Sequence, residues 1–201
     1  LTPMDEKERE KYGLKGVAAN LAYRYESHPY KAALTVLRSK PIVTARCFSF
    51  LKLQPEGLTA YYELVYDIQQ ARTDRLVLRL PKRDTPAALD IRGLDDVTIK
   101  EKYQTPETDQ DPDRTWNVLL TQPRRGAVRL AVEFQRPLPA DTLDKYPLPL
   151  VRAGEVAYQS AVVAVEGSAD LDLDVRTDAR TVDVGELVAA QHPVGPRLLG
   201  A

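Results

Sequence analysis

The stretch "TDQDPDRTW", residues 108–116, sets Asp109, Asp111 and Asp113 at alternate positions. That is the spacing at which a calcium-binding loop begins to present its hard oxygen ligands. The helix-loop-helix form of such a loop needs glycine at its sixth position and a bidentate glutamate at its twelfth. Here those positions hold Arg114 and Leu120, and Pro112 stands between two of the would-be ligands, so that loop type is excluded. Three carboxylates at a loop tip, joined by Glu107, can still gather calcium with the help of carbonyl and water oxygens. The same residues are also what polar turns are made of, and both readings stand at this point. A second acidic series, "SADLDLDV", puts Asp170, Asp172 and Asp174 on one side of an extended segment, opposite Leu171, Leu173 and Val175. Facing arginines or a cation would relieve the repulsion, and so would a solvated edge strand that uses its charges to repel other strands.

Ten of the chain's fourteen aromatic residues are tyrosine. A tyrosine offers an apolar ring and a polar tip, which suits stacking on sugars or burial at a protein interface. Tyr30, Tyr61 and Trp116 are the candidate ligand-binding residues in this class. Tyr62 and Tyr66 share the face of Leu64, and Tyr23 and Tyr25 that of Leu21, so these four are expected in or near a core. Signals for catalysis are weak. His28 and His192 each precede a proline, without a second ligand at metal-binding spacing. Cys47 alternates with Val43, Ala45 and Leu51 and reads as a packed thiol. Neither a nucleophile elbow nor a phosphate-cradling glycine loop is present in the sequence. A hydrolase would need carboxylates that the fold brings within about 5 to 10 Å of each other. No catalytic residue is assigned, and the chain is expected not to be an enzyme.

The elements that would position these residues alternate with a period of two. In "GLTAYYELVYDI" the even positions from Leu58 to Ile68 are apolar or aromatic, while Thr59, Glu63 and Asp67 face the other way. "DRLVLRLP" and "GAVRLAVEFQR" repeat the pattern. Further strands are expected at 18–26, 32–38, 42–53, 88–92, 97–103, 115–121, 155–165 and 171–176. Most of the 15 prolines sit in the joints between them, "QPRRG" at 122–126 among these. Before the strands, Thr2 as cap, Pro3 at the first helical position and Gly13 as a stop predict a short N-terminal helix. These elements predict an all-β fold, an antiparallel two-sheet β-sandwich of the immunoglobulin-like or jelly-roll type. Its expected parts are a helical or linker segment at 1–16, the sandwich at 17–180, and a C-terminal segment at 181–201.

With 43% hydrophobic and 28% charged residues, 201 residues can bury a sizeable core. The 28 basic and 29 acidic side chains nearly cancel, which argues against nucleic acid as a partner. No apolar run approaches the roughly 20 residues that span a bilayer. One cysteine cannot form an intrachain disulfide and leaves the compartment open. The start "LTPMDEKERE" and the stop at "GPRLLGA" read as the ends of a piece of a longer chain. "GLKGVAA" at 13–19 echoes that last heptad, as a repeat would.

The succession "LAYRYESHPYKAALTVLR", "YYELVYDIQQARTDRLVLRLP", "VLLTQPRRGAVRLAVEFQRPLP", "YPLPLVRAGEVAYQSAVVAV" and "DLDLDV" resembles repeated β-sandwich modules of very large, poorly characterised envelope proteins of planctomycete-type bacteria. The resemblance runs from about Val17 to Val175 and implies a scaffold in the cell envelope or outside the cytoplasm. It brings no functional residues with it. The expected function is a non-enzymatic structural or interaction module whose partners are neighbouring domains or other proteins. The alternative is a carbohydrate-binding module that uses its tyrosines and a structural calcium.

Overall fold

The computed structural model of the chain describes residues 2–14, 23–24, 31, 33, 35–37, 39–86, 88–106, 111–138 and 146–182. Two compact units are present, Leu1–Arg38 and Ser39–Ala201. The smaller contains strand β1 (Thr2–Pro3), helix α1 (Glu6–Lys11) and strand β2 (Tyr23–Arg24), with β1 and β2 antiparallel. The helix begins later than the sequence suggests. Asp5 is its cap, accepting the Glu8 amide at 2.8 Å while the Glu8 carboxylate accepts the Asp5 amide, a complete capping box. Thr2 and Pro3 lie in β1 instead. Gly13 is the expected stop: at φ +72° its N–H donates to the Glu10 carbonyl, and the Leu14 N–H reaches back to Arg9 at 2.8 Å.

The larger unit holds one mixed sheet of seven strands: β3 (Ile42–Gln54), β4 (Gly57–Pro81), β5 (Asp90–Gly93), β6 (Ile99–Gln104), β7 (Asp113–Pro137), β8 (Arg152–Gly154) and β9 (Tyr158–Gly167). The order is β5-β7-β4-β3-β9, with β6 also on β7 and β8 also on β4. The protein is mostly β, as expected. The pairing is not purely antiparallel, because β9 runs parallel to β3 in the same hydrogen-bonded sheet.

β4 and β7 are each 25 residues long, and each joins two segments that the sequence separates with turns. At one end Tyr62 pairs with Val132, at the other Leu78 with Trp116, and between them the register is disturbed around Thr73 and Arg124. Pro123 falls in this interval, between the paired residues Leu119 and Arg124, where no ladder N–H is required of it. Gln70 at φ 63° and Gly126 at φ 85° bend the two strands there. "QPRRG" is therefore a bend inside a strand and not a reversal. How far β4 folds over is shown by Tyr66, whose hydroxyl donates to the Val77 carbonyl at 2.9 Å, eleven residues further along the same strand.

One core joins both halves of the long strands: Leu58, Tyr62, Leu64 and Tyr66 with Leu76, Leu78 and Leu80, and Val128, Leu130 and Val132 with Val118. All are even-numbered, because period-two alternation is kept through the bend. The segments expected to be strands at 32–38 and 171–176 have no strand among their described residues, and of 18–26 only Tyr23–Arg24 is a described strand. Asp170, Asp172 and Asp174 lie exposed in an irregular stretch, where Asp174 pairs with Arg176 at 3.2 Å. Residues 195–201 and 15–19, most of the two matching heptads, lie outside the described residues.

Candidate interaction site

Asp109 of the acidic loop lies outside the described residues, and Asp111 is exposed. Asp113 opens β7 and takes a hydrogen bond and ion pair from Arg152 of β8 at 2.6 Å. That guanidinium offsets the Asp113 charge. Among the described residues no group of three or more His, Cys, Asp or Glu side chains is placed to hold a metal. Of the aromatic candidates, Tyr30 lies outside the described residues. Trp116 is 8% exposed and packs in the core, so its ring is not a surface for stacking. The reason is local: its even position puts it in line with Val118 and Leu120, which face inward. Tyr61 is half-buried, its ring 6.3 Å from that of Phe50 and 6.0 Å from the Arg92 guanidinium. Burial pushes its phenol up, and the charge of Glu63 adds to this.

Much of the charge on the sheet's outer face is matched across strands. Arg129 of β7 holds the fully buried Glu63 of β4 at 2.7 Å and Asp95 at 2.9 Å. Arg92 of β5 holds Glu133 of β7, and Asp90 at 3.2 Å. Asp95 sits at φ 58° in the turn after β5, and that turn passes so close to Gly93 that an added Cβ would lie 1.9 Å from the Val97 carbonyl oxygen. Only glycine leaves room for the turn that brings Asp95 to Arg129.

Cys47 is 1% exposed, as its alternation predicted. Burial raises its thiol from 9.0 to about 11, against a smaller opposing effect of a hydrogen bond with the Ala153 backbone. The neutral thiol is thus favoured in the folded state, and the protein should lose stability as pH rises from about 9 towards 11, where the unfolded chain ionises and the folded one does not. The loss is at most about 3 kcal/mol. In urea unfolding at a series of pH values, Cys47→Ala is expected to remove that part of the alkaline slope. An identical slope in both proteins would show that the thiol is not held neutral.

The sheet edges differ in character. β5 and β6 are four and six residues long and carry Asp90, Arg92, Lys100, Glu101 and Lys102, while β8 has three residues. β9 has ten residues, "YQSAVVAVEG", with no charged side chain before Glu166, and among the described residues it has a strand neighbour on one side only. Tyr158 at its start is 66% exposed. Beside that end lies a cavity of about 240 Å³ lined by Arg79, Asp113, Arg152, Ala153, Gln159 and Ala161. Nothing local in the sequence marks the place of this edge or this cavity. The missing charge in "YQSAVVAV" was legible in the sequence, but the segment's place in the sheet order was not.

No family model and no curated protein matches the chain. Among solved structures it is similar to a non-cellulosomal cohesin from the hyperthermophilic archaeon Archaeoglobus fulgidus, at 10% identity and a TM-score of 0.32, over 62% of this chain and 91% of the cohesin. A likeness of that degree assigns neither fold nor function.

Proposed function

We propose that the chain is a non-enzymatic interaction module, a β-sandwich that receives an extended segment of a partner protein along the edge of β9 that has no strand neighbour among the described residues. The contrast between the edges carries this reading. Short strands, charges and coverage are how proteins keep sheet edges from pairing, and β9 uses no charge from Tyr158 to Val165. A strand laid against it would gain main-chain hydrogen bonds, and alternate side chains would give selectivity. The sandwich part of the reading is supported by the Tyr66 bond to Val77, which draws the two halves of β4 together over a shared core. A place in a larger, repeat-containing envelope protein is supported by the sequence resemblance.

The test is a photo-crosslinking side chain at Tyr158, with one at Lys100 on β6 as control, in cells producing the full-length protein. A discrete protein adduct is expected from position 158 alone, and Val162→Lys, which adds the missing charge, should abolish it. Equal adducts from both positions, or adducts indifferent to Val162→Lys, would refute edge pairing. Oligosaccharide binding on a glycan array without any adduct would favour the carbohydrate-binding alternative.

A further inference from the structure

On the outer side of β4 and β8 the arginines are unevenly matched. Arg75 makes a two-pronged pair with Glu155 at 2.8 and 2.9 Å, and Arg152 pairs with Asp113 at 2.6 Å. Arg79 stands directly opposite Arg152 in the β4–β8 register, and among the described residues no carboxylate is paired with it. Like charges placed opposite each other in a sheet repel, and Asp113 offsets only one of the two. Gly154 has no side chain, so Arg79 lies close above it: a Cβ there would be 3.4 Å from the Arg79 Nε. From β9, Gln159 joins the same cavity. Its Oε1 is fixed by the Ala153 N–H at 2.7 Å, which leaves the amide Nε2 hydrogens as donors.

We infer that Arg79, Arg152 and Gln159 form a binding site for one small oxyanion, a carboxylate or phosphate group. The site carries a net positive charge of one, two guanidiniums against the Asp113 carboxylate. Guanidiniums match planar carboxylate and phosphate oxygens with paired N–H donors. The cavity measures about 240 Å³. That admits one oxyanion with part of its hydration, and falls below the ~300 Å³ at which pockets for larger organic ligands begin. This site goes beyond strand pairing at β9 and does not depend on it.

The experiment is a titration of the ¹⁵N-labelled full chain with sodium acetate and, separately, sodium phosphate, at ionic strength held constant with sodium chloride. The Gln159 side-chain amide, the Ala153 amide and the Arg79 Nε–H are followed. Saturable shifts at millimolar concentration are expected, weakened at least fivefold by Arg79→Gln and unchanged by Val162→Lys. Saturation by acetate points to a peptide carboxylate as the natural group, and saturation by phosphate alone points to a phosphoryl group. Ala161→Asp, which puts a carboxylate on the cavity wall, should abolish both titrations and serves if Arg79→Gln does not fold. Shifts that chloride reproduces, or that persist undiminished in Arg79→Gln or Ala161→Asp, would overturn the assignment.

Discussion

Replacing Arg129 with alanine is expected to lower the free energy of unfolding by about 3 to 5 kcal/mol. Its partner Glu63 lies on the side of β4 facing away from Tyr62 and Leu64, yet it is wholly buried, between Phe48 of β3 and Ala131 of β7 in register. The Arg129 Nε and Nη2 reach the same Glu63 oxygen at 2.8 and 2.7 Å. Taking away that guanidinium removes the cation that reaches this desolvated carboxylate at 2.7 Å, which costs more than the pair itself contributes. The double variant Glu63→Leu with Arg129→Leu removes the charge as well as its partner. It should therefore be destabilised by less than either single change, with a coupling of at least about 1.5 kcal/mol. Urea unfolding followed by the fluorescence of Trp116, the one tryptophan, measures all of these. A loss below about 1 kcal/mol in Arg129→Ala would make the pair an ordinary surface pair.

A loss of similar size, about 3 to 5 kcal/mol, is expected for Tyr66→Ala, and about 1 to 2 kcal/mol for Tyr66→Phe. Tyr66 is fully buried, and its hydroxyl is tied to the Val77 carbonyl across the bend of β4. The phenylalanine variant keeps the ring and loses only the bond to a buried acceptor. The alanine variant also opens a cavity where the two halves of the strand meet. Tyr158, 66% exposed, is the control, and its replacement by alanine should change stability by less than about 0.5 kcal/mol. If Tyr66→Phe and Tyr158→Ala unfold at the same urea concentration, the hydroxyl does not hold the bend.

The acidic loop shows how much of a candidate site can be read from spacing. Calcium geometry excluded one loop type on sequence grounds, through Arg114 and Leu120. It could not identify the partner of Asp113, because Arg152 lies 39 residues away and reaches it only through the pairing of β8 with β4. Trp116 teaches the same point from the other side. Its alternation with Val118 was available in the sequence and outweighs its residue type, which suggested a surface for sugars. The Arg79–Arg152 site left no local mark, since each arginine alone resembles any polar position of a strand.

By itself, the sequence determined which side of each strand is apolar, where prolines could stand, and that no net charge dominates. Alternation and composition are local properties, and the even-numbered core residues of β4 and β7, from Leu58 to Leu80 and from Trp116 to Phe134, follow from them. Tertiary structure decided that 58–68 and 74–80 are one strand, that β9 runs parallel to β3 with a strand on one side only among the described residues, and which arginine meets which carboxylate. Those outcomes depend on pairing between residues far apart in the chain. A period of two says which way a side chain points, and leaves open what it meets.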